Sequence, residues 1–141
     1  MDVAEIMSAE VEFIAPEATA QEAAELMGEL DVGALPVGSA EDLRGVVTGR
    51  DLLYRVVAAG RDPASVRVRE VMSSPAIACR PNDGLRQAMD LMTAQNLRRL
   101  AVQDAQGKVV GWVTLADIAR RLLVEDARLQ QALRGLTESA A

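Results

Sequence analysis

The sequence predicts an α/β (α+β) fold made of two successive βαββα units, and two observations carry that expectation. The first is an internal repeat: Glu5-Ile6-Met7-Ser8 returns as Glu70-Val71-Met72-Ser73, 65 positions later. At the same offset Pro16 falls on Pro81, Ala23 on Ala88, Leu26-Met27 on Leu91-Met92, Leu35 on Leu100 and Val37 on Val102. One extra loop residue moves the offset to 66, and Gly45, Val47, Thr48 and Asp51 then fall on Gly111, Val113, Thr114 and Asp117. The second is that the apolar spacing within each copy switches from extended to helical, through two extended runs, and back to helical.

Each copy opens with a short apolar stretch, residues 11–15 and 76–80, ended by Pro16 and Pro81, which predicts a short strand or extended segment. A helix follows each proline. In the first, Thr19 and Glu22 form a capping box, and Ala23, Leu26, Met27 and Leu30 lie on one face. In the second, Leu85, Ala88, Met89 and Met92 repeat the stripe, with Gly84 in place of the threonine and so a weaker start. Two strands come next, at residues 34–37 and 44–48 and at residues 100–102 and 109–114. The turns between them, residues 38–42 and 104–107, are rich in turn formers. A second helix starts at Thr48 and at Thr114 and runs through Asp51 to Ala59 and through Asp117 to Leu123. The units are placed at residues 1–62 and 70–124, with a linker at 63–69. A helical extension and tail occupy residues 125–141, with Leu129, Leu133 and Leu136 spaced for one more helix.

Composition narrows the function. Half of the 141 residues are hydrophobic and 26% are charged, an ordinary globular balance, but there is one Trp, one Phe and one Tyr. The core must therefore be packed by Ala, Val, Leu and Met. The chain has no histidine and one cysteine, Cys79, which excludes disulfide frameworks, Cys/His zinc sites and histidine-based catalytic dyads and triads. With no carboxylate pair clustered beside a nucleophile either, no enzyme activity is expected. Cys79, lacking a resolving partner, reads as a small buried hydrophobe. A net charge of −6, with Lys108 the only lysine, makes the chain a poor general binder of nucleic acid or anionic membrane. No signal-peptide pattern and no apolar run approaching the ~18 residues of a membrane span is present, so a cytoplasmic location is expected.

The repeated motifs resemble the CBS domain family, named after cystathionine β-synthase, whose domains pair in tandem as Bateman modules. The resemblance spans residues 3–123. It rests on Ile6-Met7-Ser8 and Val71-Met72-Ser73, on Gly33-Ala34-Leu35-Pro36-Val37 and Arg98-Arg99-Leu100-Ala101-Val102, and on Gly45-Val46-Val47-Thr48-Gly49-Arg50-Asp51 and Gly111-Trp112-Val113-Thr114-Leu115-Ala116-Asp117. It implies two repeats packed with pseudo-twofold symmetry, two clefts between them, and pairing of such modules into a homodimer. The helix residues Leu52, Leu53, Val56, Val57, Ile118, Leu122 and Leu123 would supply that interface. The implied ligand is an adenosine nucleotide, AMP, ADP, ATP or S-adenosylmethionine, acting as a regulatory ligand; no cofactor is required.

The resemblance also assigns roles. Thr48 with Asp51, and Thr114 with Asp117, read either as helix capping boxes or as a ribose acceptor beside a phosphate. Arg50 and Arg99 sit where family members hold phosphate, a task suited to the guanidinium fork, or they are surface arginines. Their repeat partners are Ala116 and Ala34, so the two copies are unequal. Arg98 reads as solvated surface. Phe13, Ala15 and Pro36, and Ala78 and Ala101, would line adenine pockets or simply belong to the core; Ala101 replaces the family's usual proline. The leading reading is a nucleotide-sensing module acting on a protein partner in trans, and the alternative is a ligand-free structural or dimerisation protein.

Overall fold

A computed structural model of the chain describes residues 1–125 and 131–136. After a 3-10 turn at Val3–Glu5, α1 (Ala20–Leu30) starts at Thr19, whose side-chain oxygen accepts a hydrogen bond from the Glu22 N–H at 3.1 Å. Only that half of the expected box forms. Ala23 and Met27 are buried, and the helix ends at Asp31 in a left-handed conformation, φ 55°. The antiparallel strands β1 (Ala34–Gly38) and β2 (Leu43–Thr48) follow, with Leu35 opposite Val47. Then come α2 (Gly49–Leu52), which continues as a π-helical turn at Leu53–Val57, and α3 (Val68–Val71).

The second unit repeats the pattern with β3 (Ala78–Cys79), α4 (Leu85–Gln95), β4 (Arg99–Gln103), β5 (Val109–Thr114) and α5 (Leu115–Glu125). Helix α4 makes the opposite half of the box. Glycine offers no capping side chain, but the Gln87 Oε1 accepts from the Gly84 N–H at 2.7 Å. Helix α4 ends at Asn96, again left-handed at φ 55°. Residues 131–136 are helical and exposed; Leu129 lies outside the described residues.

Residues 11–15, expected as a strand or extended segment, form an extended segment with one parallel bridge, Ile14 to Val37, which matches the Cys79–Val102 pair of β3 and β4 at the repeat offset. The flanking Phe13 is only partly buried and Ala15 is exposed, so little holds a longer ladder. Residues 63–69, read as a linker, are also part of the packing: Val66 and Val68 are buried, and Thr19 bridges to Arg67.

Two apolar clusters form the core, and each is completed from the other half of the chain. Val66, Val68 and Val71 pack with Leu35, Val37, Val47 and Val56, whereas Val3 packs with Leu100, Val102, Val113 and Ile118. The exchange is held by backbone pairs: Val46 exchanges hydrogen bonds with Ser73 at 2.9 and 2.8 Å, and Trp112 with Ser8 at 2.9 and 2.8 Å. This close approach explains the repeated glycines. A Cβ on Gly45 would lie 2.6 Å from the Ser73 carbonyl oxygen, and one on Gly111 would strike Met7 and stand 3.1 Å from the Ser8 carbonyl oxygen. Gly45→Ala is therefore expected to be destabilising by about 1–3 kcal/mol, measurable by urea denaturation.

Cys79 is buried at the edge of the second cluster, and burial, then the charge of Asp83, pushes its thiol up to about 11. The folded protein is expected to resist alkylation at pH 8 and to react fully once unfolded, since the thiolate is the nucleophile. Rapid labelling of the folded protein would contradict this burial.

Candidate functional site

Two clefts, of about 460 and 530 Å³, lie between the repeats, and each draws on both. These volumes fall in the usual range for small-molecule sites. In the first cleft, the junction of β2 and α2 presents Thr48, Arg50 and Asp51, the segment after α3 adds Ser73, Ala76 and Ile77, and the turn from α4 into β4 adds Asn96, Arg98, Arg99 and Ala101. In the second, residues 8–12 and the turn from α1 into β1 face Trp112, Thr114, Asp117 and Arg120. Strand alternation explains part of this. Trp112 and Thr114 lie two apart on β5, on the face opposite buried Gly111 and Val113.

Both Thr-x-x-Asp motifs form complete capping boxes. The Asp51 Oδ2 accepts from the Thr48 N–H at 2.9 Å, and the Thr48 Oγ1 accepts from the Asp51 N–H at 3.0 Å. For Asp117 and Thr114 both distances are 3.1 Å. The remaining oxygens differ. The Asp51 Oδ1 accepts from the Ser73 hydroxyl at 3.3 Å and has Arg55 at 3.9 Å, and the residue is buried; the Asp117 Oδ1 accepts from Arg120 at 2.5 Å and is more exposed. Arg55 is also committed to the Val71 and Met72 carbonyls.

The clefts carry opposite charge. The first is lined by Arg50, Arg98 and Arg99 against Asp51, the second by Glu10, Glu12, Asp31 and Asp117 against Arg99 and Arg120. At the repeat offsets, Pro75 corresponds to Glu10, Ile77 to Glu12, Asn96 to Asp31, Arg98 to Gly33 and Arg50 to Ala116. Every one of these exchanges makes the first cleft the more positive. Arg99 lines both clefts. Burial, then the like charge of Arg98, pushes its guanidinium below the ordinary arginine value.

The structure thus brings Thr48, Arg50, Asp51, Arg99 and Ala101 together in one cleft, and Pro36, Thr114 and Asp117 in the other. Phe13, Ala15 and Ala78 line neither. Pairing of Ile14 to Val37 and of Cys79 to Val102 commits those stretches to the sheet edge, and the chain meets the clefts two residues earlier, at Val11 and Glu12 and at Ala76 and Ile77. Arg98, read as surface, is exposed but lines the first cleft. Sequence reasoning missed Ser73, Asn96, Trp112 and Arg120. The alternation of β5 was the signal that places Trp112 beside Thr114; Ser73 had none, because its contact crosses from one repeat to the other.

Comparison with known proteins agrees with this architecture. A family model described as the CBS domain matches residues 3–58 and 68–124, and the chain belongs to the CBS domain family. CBS domains are a non-catalytic, regulatory and sensing fold. The chain is 41% identical over 117 residues to the CBS domain-containing protein YhcV of Bacillus subtilis (strain 168), covering 83% of this chain and 82% of that one. Among solved structures, a protein with CBS domains from Burkholderia ambifaria MC40-6 superposes with a TM-score of 0.84 at 28% identity, covering 89% of this chain and 96% of that one. The crystal structure of CBSX2 in complex with AMP superposes with a TM-score of 0.72 at 27% identity, covering 86% and 96%. Among the described residues there is no helix long and apolar enough to cross a membrane and no cluster of three metal-ligating side chains.

Proposed function

We propose that the protein is a cytoplasmic regulatory module that binds an adenosine nucleotide between its repeats and passes that occupancy to a protein partner in trans. The observation that carries this reading is the first cleft. Arg50, Arg98 and Arg99 converge there beside Asp51, and none of the three guanidiniums has a hydrogen bond or ion pair among the described residues. By contrast, Arg44, Arg55, Arg61, Arg86 and Arg120 all have carboxylate partners. Unpaired arginines grouped on a cleft suit phosphate oxygens, and the aspartate suits ribose hydroxyls. CBSX2, similar in fold, was solved in complex with AMP. A calorimetric panel of AMP, ADP, ATP and S-adenosylmethionine tests this; no heat with any of them would favour the second reading, a ligand-free structural role. The completeness of both capping boxes supports that alternative, since capping alone accounts for Thr48, Asp51, Thr114 and Asp117.

Phosphate reading by the first cleft predicts a salt effect. ATP affinity is expected to fall as ionic strength rises, and Arg50→Ala is expected to reduce the preference for ATP over AMP. Equal preference in wild type and variant would assign the phosphate elsewhere.

The module is also proposed to be a homodimer. Val56 and Ile118 are buried in the core and unavailable, but Leu53, Tyr54 and Val57 are 53, 62 and 68% exposed and Leu122 is 41% exposed. Such side chains on the π-helical turn after α2 and on α5 suit an interface. Sedimentation as a monomer at micromolar concentration would overturn this assignment.

A further inference from the structure

We infer that Arg99 is shared between the two clefts, so that phosphate-bearing ligands bind them with negative cooperativity while a ligand lacking phosphate does not. The inference rests on the nucleotide reading above and goes beyond it. Arg99 stands at the start of β4 and lines both clefts, as does Gly33. Gly33 has no side chain to wall the clefts apart, and the Arg99 Nη2 lies 3.9 Å from where its Cβ would be. Nothing among the described residues holds the guanidinium on either side. One fork can chelate one phosphate at a time.

The two clefts have unequal need of it. In the first, Arg50 and Arg98 already attract phosphate and would draw Arg99 toward it. In the second, Arg120 is bound to Asp117, so Arg99 is the one arginine of the lining without a carboxylate partner among the described residues. A phosphate held in the first cleft therefore leaves the second with Glu10, Glu12 and Asp31 and no free cation to offset them. Linkage makes the effect reciprocal. Adenosine, having no phosphate, has no claim on Arg99 and should bind the second cleft equally well in either state.

The chain carries its own reporter. Trp112 is the single tryptophan and lines only the second cleft, so its fluorescence reads that cleft while calorimetry reads both. ADP and adenosine are titrated into wild type, into Asp51→Ala and Arg50→Ala, which each weaken the first cleft by a different route, and into the same variants carrying Arg99→Gln. The expected result is that ADP binds at Trp112 about 5-fold or more tightly in the first-cleft variants than in wild type, with adenosine unchanged. In the Arg99→Gln background that difference disappears. Equal ADP affinity at Trp112 in wild type and both variants, a difference that survives Arg99→Gln, or calorimetric heat with no Trp112 response in any protein would each overturn the coupling alone. Absence of both heat and fluorescence change with ADP and adenosine would overturn the nucleotide reading and the coupling with it.

Discussion

Leu100→Ala is expected to lower folding stability by about 2–5 kcal/mol, the usual cost of emptying a buried leucine site. Leu100 is 1% exposed, lies on β4 opposite Val113 and belongs to the cluster that contains Val3, Met92 and Ile118. The surrounding structure relaxes only in part around such a void, so part of the cavity should remain. Leu35, its repeat partner, is equally buried, and Leu35→Ala should cost a similar amount. The informative feature is the shape of the urea transition. Because each cluster includes residues from the other half of the chain, either substitution should move one common midpoint with little change in slope. Separate transitions for the two repeats would show that the exchanged segments do not bind them into one cooperative unit.

Asp51→Ala should weaken an adenosine nucleotide in the first cleft by roughly tenfold or more, because a hydrogen bond to a charged acceptor contributes about 1.5–3 kcal/mol. It should also destabilise the fold by about 1 kcal/mol, since Thr48 and Ser73 lose their shared acceptor. Asp51→Asn separates the two effects: it keeps a side-chain oxygen for the Thr48 N–H but removes the charge. If the carboxylate recognises ribose, Asn should approach wild type in stability and Ala in affinity. Asp117→Ala should act in the same way on the second cleft, read by Trp112. Unchanged nucleotide affinity in Asp51→Ala and in Asp117→Ala would reduce both aspartates to helix caps.

Much of this arrangement could be read from the chain because its repeat is local in register. The offset of Leu35 to Leu100 and of Thr48-Asp51 to Thr114-Asp117 fixes two equivalent frames, and within a frame period 3.6 or period 2 distinguishes helix from strand. The inequality of the two copies was visible in the same way, as Arg50 and Arg99 against Ala116 and Ala34, although Arg99 lines both clefts and only Arg50 is particular to the first. What spacing cannot tell is which frame an apolar residue joins. Val3 and Val66 look alike in sequence, yet Val3 of the first repeat enters the second cluster, and Val66, from the segment read as a linker, completes the first. The roles of Ser73, of Arg98 and of the cleft wall at Ala76 and Ile77 depend on that exchange, so they became evident only in three dimensions. Gly45 and Gly111 hinted at it, since a glycine inside a strand marks a place where another backbone passes close by.

The exchanged segments also govern how the chain can reach its native state. Val3 and Ala4 hydrogen-bond to the Asp83 and Pro81 carbonyls, closing a loop of about 80 residues. Contacts so distant in sequence raise contact order and slow folding relative to a chain whose two halves each complete their own core. During synthesis, residues 1–7 are made well before the strands and helix they cover, and they must wait, apolar side chains included, until β5 and α5 have been added. The first repeat in turn lacks Val66, Val68 and Val71 until its own strands and helices are finished. Assembly therefore runs against chain order, with a segment made before the strands and helix that receive it among the last to be seated.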